Sequence, residues 1–194
     1  RGAQRNPRRS RPRMSEHPPI ELLGERVRLM PVSVDGIDAI AAAVSLSLPE
    51  LEQFMDWAVS HPTRAEDFVG FVEECVAGWK TGDSYNYTIL DRVSDEVIGG
   101  CGLMRRVGPG AIEIGYWIRS DRAGDGLATE TARIITAAAR ELDDIHAVIL
   151  RHDAANKASG RVAEKLGYVE FDRMPVELVA LGDSGIQIHR RLDL

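Results

Sequence analysis

The strongest constraint on this chain is a hydrophobic period that changes repeatedly along it. Short two-residue alternations give way to 3.6-residue spacings, and glycine, proline or a small polar residue marks most of the changes. Residues 26–30 alternate as a strand. Residues 34–44 are rich in Ala and Ile and predict a helix with Ser33 as its cap, and a short helical stretch follows over 49–57. Thr63-Arg64-Ala65-Glu66 has the spacing of a capping box. It opens a helix with Phe68, Val69, Phe71, Val72, Val76 and Trp79 on its apolar side. Residues 85–90 and 97–104 form a hairpin around a turn at 92–95, and 111–118 add a strand after Gly108-Pro109-Gly110. Next come a helix over 126–142, with Ile134, Ile135, Ala138 and Leu142 on one face, and an uninterrupted apolar strand over 147–150. A helix over 155–166, stopped by Gly167, and strands near 168–173 and 186–192 complete the chain. Hairpins alternating with helical crossovers place antiparallel and parallel neighbours in one sheet, so the class is α/β with a mixed sheet. No internal repeat is visible.

The chain's 194 residues suit one domain. With 44% hydrophobic and 28% charged residues it can bury a core. Its net charge of −6 conceals two parts. Residues 1–13 carry six Arg and no acid, which leaves 18 basic against 30 acidic groups in the remainder. An Arg- and Pro-rich stretch cannot bury anything, and Met14 follows it. Residues 1–19 are therefore expected to be a disordered tag or N-terminal extension, and 20–194 a single domain. A basic nucleic-acid arm is the sharper alternative for the extension. The domain's own surplus of acid argues against nucleic acid as its partner. No run of 18 apolar residues occurs, so no membrane-spanning helix is expected, and no apolar segment of a secretory signal follows the N-terminal arginines. Cys75 and Cys101 stand alone, away from any CxxC or His cluster. They read as small buried side chains rather than a metal site, and their reduced state suggests the cytoplasm.

The chemistry lies in residues 112–133, which read strand, glycine loop, helix. Backbone N–H groups from Gly124 to Ala128 lack intrahelical acceptors at such a helix start. The helix dipole adds about half a positive charge there, and glycine lets an anion approach the backbone. Gly-Asp-Gly alone is also compatible with an ordinary strand-to-helix turn. There is no GxxxxGK[ST], and no GxGxxG follows the first strand, so the two common nucleotide loops are absent.

Glu113-Ile114-Gly115-Tyr116-Trp117-Ile118, Ala123-Gly124-Asp125-Gly126-Leu127-Ala128, Asn156-x-x-Ser159 and Leu166-Gly167-Tyr168 occur in this order. Together they resemble the GNAT superfamily, the Gcn5-related N-acetyltransferases. The likeness is nearest to the RimJ/RimL-like branch of ribosomal-protein N-terminal acetyltransferases and covers about residues 25–192. The resemblance implies a mostly antiparallel sheet of about seven strands, flanked by helices and splayed between the fourth and fifth. It also implies a cytoplasmic, bacterial enzyme, a possible homodimer, that transfers acetyl directly from acetyl-CoA to an amine such as a peptide N-terminus. Its loop would hold the pyrophosphate on the amides of Ala123, Gly124, Asp125, Gly126, Leu127 and Ala128, with the Thr129 hydroxyl in reach. Two residues depart from the family loop: Ala123 stands where Arg or Gln is usual, and Asp125 where a basic residue is common. Arg119, Arg122 or Arg133 are candidates to offset that acid.

The backbones of Tyr116, Trp117 and Ile118 would meet the pantetheine arm in the splay, with Asn156 against the arm. Ser159 would protonate the leaving thiolate, and Glu113 would be the base. As ordinary structure, Asn156 and Ser159 would cap a helix and Glu113 would be a solvent-facing strand residue. Tyr168 reads as packing, and His146 and His152 as surface residues. Phe54, Met55 and Trp57 are candidates to line the acceptor pocket, while Glu50, Glu52 and Asp56 either attract a cationic amine or form a solvated face. No metal is expected. A non-catalytic acyl-CoA-binding module and a small-molecule amine acetyltransferase are the competing functions.

Overall fold

Among the described residues, 16–194 of a computed structural model, one pair of neighbouring strands runs parallel, and that pair decides the architecture. The elements in chain order are β1 (Leu22–Leu23), β2 (Val27–Pro31), α1 (Ile37–Ser45), α2 (Leu48–Leu51) and α3 (Val69–Thr81). They continue with β3 (Ser84–Asp91), β4 (Val97–Met104), β5 (Ala111–Ile118), α4 (Leu127–Ala139), β6 (Ala147–Asp153), α5 (Lys157–Lys165), β7 (Val169–Pro175) and β8 (Ile186–Asp193). The sheet order is β1-β2-β3-β4-β5-β6-β8-β7. Every pairing is antiparallel except β5 with β6, which α4 joins as the crossover a parallel pair needs. All seven strands expected from the sequence are present. The eighth, β1, is two residues long, too short for its alternation to register.

The sheet separates two cores. On one face Leu29, Tyr87, Ile112 and Ile114 pack with Leu127, Ile135 and Ala163 of α4 and α5. On the other, Val32, Ile40, Val44, Phe68 and Val72 gather under α1 and α3, with Trp117 of β5 packed against them. Cys75 and Cys101 are free and buried, and burial pushes the Cys75 thiol up to about 12 and the Cys101 thiol further. Among the described residues no helix is long and apolar enough to cross a membrane.

Three local expectations shift. The carboxylate of Asp67, not Glu66, accepts the backbone N–H groups of Thr63 (3.1 Å) and Arg64 (2.9 Å). A 3-10 turn, Ala65–Phe68, then precedes α3 and rotates its buried stripe onto Phe68, Val72 and Cys75, leaving Val69 and Phe71 exposed. The helical stretch over 49–57 divides into the four-residue α2 and a 3-10 turn, Asp56–Ser60. At the N-terminus, the Tyr85 and Tyr87 hydroxyls donate to the carbonyls of Glu16 (3.0 Å) and Pro19 (2.7 Å), so residues 16–19 pack against β3 instead of lying free. The rest of the expected extension, residues 1–15, lies outside the described residues.

Candidate active site

β5 and β6 pair in register from Ala111↔Ala147 to Ile114↔Leu150, and then the pairing stops. β5 continues to Ile118 and β6 to Asp153 without pairing to each other, so a gap opens between them. β5 meanwhile stays paired to β4 as far as Gly99↔Ile118, and the Arg119 N–H donates to Ile98 O (2.8 Å). By the two-residue alternation of an antiparallel ladder, Gly115 and Trp117 then bond to β4, while Tyr116 and Ile118 turn their N–H and C=O groups to the gap. Tyr116 and Ile118 thus present backbone groups with which an amide-rich arm could pair. Trp117 does not: its backbone serves β4 and its ring lies in the second core, 6.3 Å from the ring of Trp57.

Two hydroxyls meet at this gap. Tyr116 Oη, from β5, lies 3.2 Å from Ser159 Oγ, in the first turn of α5. Ser159 is fixed by its own N–H, which donates to Asn156 Oδ1 (3.0 Å). Asn156 therefore caps α5 through its Oδ1, which leaves its side-chain NH2 group as the donor toward a pantetheine arm. Burial pushes the Tyr116 phenol up to about 12, against the opposing effect of the Ser159 hydrogen bond, so it stays protonated at neutral pH.

The loop after β5 runs through a 3-10 turn, Ser120–Arg122, whose last bond uses the Ala123 N–H on Ser120 O (3.1 Å). That removes Ala123 from the expected row of free amides. Gly124 (φ +92°) and Gly126 (φ +81°) adopt the left-handed conformation that glycine tolerates. Among the described residues the next amide to bond is that of Glu130, to Gly126 O (3.0 Å). The amides of Gly124, Asp125, Gly126, Leu127, Ala128 and Thr129 are left for an anion at the α4 N-terminus, where Gly126 supplies no side-chain cap. Leu127 buries its side chain in the first core and offers only its backbone. This exposed, glycine-lined row beside an unpaired strand edge fits a pyrophosphate followed by an amide-bearing arm.

The Asp125 carboxylate is only weakly offset, and an unexpected arginine holds its backbone instead. Arg119 is held by Asp121 (2.7 Å), and Arg122 by Asp91 (2.8 Å), with only a 4.0 Å approach to Asp125. Arg26, at the edge of β2, reaches across to donate to the carbonyl of Asp125 (2.6 Å) and to the buried Glu130 (2.9 Å). Sequence reasoning missed it, because nothing local links positions 99 and 104 residues apart.

Glu113 is buried rather than solvent-facing. Arg106 grips it twofold (2.6 and 3.0 Å), and Arg151 contacts the same carboxylate from β6. A carboxylate so occupied holds two guanidiniums and is poorly placed to take a proton from an amine. His152 is also buried, contrary to its surface reading. Burial and the charge of Arg190 lower its pKa against an opposing bond to the Asp153 carbonyl (2.8 Å), and Arg190 Nε donates to its Nε2 (3.2 Å). Gly160 lets α5 close over the imidazole, since a Cβ there would sit 3.2 Å from its ring. His146 is exposed as expected. Tyr168 is packing, with its hydroxyl 2.6 Å from Thr136 Oγ1. Among the described residues no His, Cys, Asp and Glu cluster could hold a metal ion.

Residues 26–169 match the family model of the acetyltransferase (GNAT) domain. The chain belongs to the GNAT acetyltransferase family. This GNAT domain has no significant match among curated protein sequences. Its likeness to solved structures is extensive. RimL, the ribosomal L7/L12 alpha-N-protein acetyltransferase solved in complex with coenzyme A, is 20% identical with a TM-score of 0.79, over 90% of this chain and 98% of that one. The ribosomal-protein-S5-alanine acetyltransferase of Vibrio fischeri is 15% identical at 0.78, over 90% and 97%. Mycobacterium smegmatis RimJ, solved with CoA-disulfide, is 20% identical at 0.77, over 91% and 90%. At these identities the likeness establishes the GNAT fold, including the mixed, split sheet.

Proposed function

We propose that this GNAT domain transfers acetyl from acetyl-CoA to a primary α-amine, that of a peptide or protein N-terminus, by direct attack. The observation that carries the reading is the gap between β5 and β6, flanked by the loop amides on one side and the Tyr116–Ser159 pair on the other. Bound there, acetyl-CoA would supply a thioester as the acetyl donor. The amides of Gly124 to Thr129 would hold its pyrophosphate, and the gap-facing backbones of Tyr116 and Ile118 its pantetheine arm. A backbone N–H at that edge would also polarise the thioester carbonyl. Tyr116 Oη and Ser159 Oγ hold protons that can pass to the departing sulfur.

An α-amine suits a site whose buried carboxylate is already committed. Its reference pKa is about 7.7–8.0, against about 10.4 for lysine, so a useful fraction is neutral near pH 8 without a dedicated base. The structural neighbours named for ribosomal-protein amino termini support the same class. A cytoplasmic location and a homodimer belong to this reading: buried, unpaired thiols support the first, and the exposed edge strand β7 the second. The test is thiol release from acetyl-CoA, with mass spectrometry of the product, over peptides of varied first residue, lysine-only peptides with blocked N-termini, and polyamines. Acetylation at the α-amine supports the proposal. Exclusive turnover of polyamines or lysine contradicts it, and CoA binding without any turnover points to a binding module.

A further inference from the structure

On the face of β5 opposite α4, a second arrangement of charges has no part in the mechanism above. Glu113 and Arg151 lie on this face, as does Trp117, while Ile112, Ile114 and Tyr116 face α4 and α5. Glu113 precedes Ile114, the last residue of β5 paired to β6, and Arg151 is the first residue of β6 beyond that pairing. The cluster therefore sits where the strands part, on the other side of the sheet from the Tyr116–Ser159 pair.

Its charges do not balance. Arg106, from the turn between β4 and β5, and Arg151 converge on one carboxylate that is itself 5% exposed. Two guanidiniums present five N–H donors each, while Glu113 accepts hydrogen bonds from two nitrogens of Arg106 and forms an ion pair with Arg151. Among the described residues Arg151 Nε is buried with no hydrogen-bond partner. Arg106 remains 58% exposed, so its outer edge faces solvent. The other carboxylate acting on Arg106, that of Asp56, is exposed and well screened. His189, across the ladder from Arg151, is engaged with Gln187 (2.9 Å). A net positive, prepositioned pair of forks thus stands in a domain whose overall charge is strongly negative. A structural ion pair for Glu113 would need only one of them.

The location fits the acceptor side. Trp57 and Trp117 stand on the same face. The connection between β7 and β8 closes toward it, where Leu181 and Gly182 donate their N–H groups to the carbonyls of Glu52 and Gln53 (both 2.9 Å). From Glu113 to Tyr116 is three strand residues, about 10 Å. An extended acceptor advancing about 3.3–3.6 Å per residue would place its second or third side chain there, with its amine at the gap.

We infer that Arg106 and Arg151, held in place by Glu113, form an anion-binding subsite that reads a carboxylate on the acceptor, namely an acidic side chain at the second or third position of the peptide. The inference rests on the proposed amine acetylation and narrows its substrate class. Guanidiniums fixed before binding lose little freedom on taking a second carboxylate, and their fork geometry matches it.

The test compares kcat/KM for matched peptides, Ser-Asp against Ser-Asn and the same exchange at position three, in the wild type, Arg106→Gln, Arg106→Lys and Arg151→Gln. Free aspartate serves as a small acceptor. The wild type should favour the acidic peptide by about tenfold or more. Arg106→Gln should bring that ratio within about threefold of unity, and Arg106→Lys should restore part of it, because a point charge replaces the fork. The ratio does not depend on the folded fraction, so a variant that folds poorly still reports. Turnover of free aspartate but of no peptide would keep the subsite and overturn the peptide as its source. Equal rates on the paired peptides in the wild type, or an unchanged ratio in both glutamine variants, would overturn the inference and leave amine acetylation intact. Absence of any turnover would overturn both.

Discussion

Tyr116 Oη and Ser159 Oγ lie 3.2 Å apart where β5 and β6 separate, one hydroxyl from a strand and the other from the first turn of the following helix. Burial keeps the phenol protonated well above neutral pH. Tyr116→Phe and Ser159→Ala should each lower kcat about 10–100-fold, at or below the lower end of the range for lost proton transfer, because each variant keeps the other hydroxyl. The affinity for CoA should stay within about threefold, since neither hydroxyl belongs to the loop that binds anions. Thiol-release kinetics and calorimetric titration with CoA measure the two effects. Wild-type kcat in both variants would remove the pair from the chemistry.

The acid in the anion loop yields a prediction of opposite sign. Asp125 projects a carboxylate from the row of free amides, and its nearest cation is Arg122 at 4.0 Å. Asp125→Lys should tighten CoA binding by a few fold, in keeping with the modest worth of an exposed charge. Equal or weaker binding would mean that the loop holds no pyrophosphate.

Arg26 supports the same loop from below. Burial raises the pKa of Glu130, but hydrogen bonds from Arg26 outweigh it, and the net shift is downward from 4.5. Arg26→Gln should therefore destabilise the fold at pH 7 by about 1–3 kcal/mol and weaken CoA binding as well. The wild type keeps the contribution of Glu130 above pH 4.5 and loses it as pH falls through the lowered pKa. The variant, in which Glu130 keeps the backbone N–H of residue 26 but loses the guanidinium, should show less of that acid loss. Denaturant unfolding at pH 7 and pH 4 checks the sign.

His152 sets a separate pH window. Its pKa is lowered from 6.5, chiefly by burial, so the unfolded chain binds a proton there before the folded one does. Stability should be steady above about pH 6.5 and fall below it. The window is distinct from the carboxylates Asp91 and Asp144, which titrate below 3.8. In His152→Gln the melting temperature should be flatter between pH 7 and pH 5. Parallel curves for variant and wild type would contradict this.

Glu113→Gln separates a base from an anchor. As an anchor, Glu113 should on substitution lower stability by about 1–3 kcal/mol, because two partly exposed guanidiniums lose their carboxylate. The acid limb of the pH–rate profile should keep its midpoint near the pKa of the acceptor amine. A shifted or vanished limb would restore Glu113 as the base.

The parts legible in the sequence are those built from neighbouring residues. The loop from Gly124 to Ala128 and the Asn156-x-x-Ser159 cap each form within one turn of chain, so spacing alone reveals them. The order of strands and crossovers likewise follows from period and length. What the sequence hid are the long-range pairings. Arg26 reaches its loop across 99 residues, and Arg151 meets a carboxylate 38 positions earlier, with no local pattern to announce either. The buried stripe of α3 is not legible locally, because Asp67 supplies the cap and turns the helix, exposing Val69 and Phe71. Glu113 shows the same limit: its place on β5 was readable, but the two arginines that define its role were not.

The central claim is that this GNAT domain moves an acetyl group to an α-amine at the split between β5 and β6. The most direct measurement is initial-rate thiol release from acetyl-CoA with N-terminally free and N-terminally blocked forms of one peptide, with wild type and Tyr116→Phe assayed together. Turnover is expected with the free peptide, none with the blocked one, and a loss of about tenfold or more in the variant. Equal rates on free and blocked peptides, or saturable CoA binding with no acetylated amine, would contradict that claim.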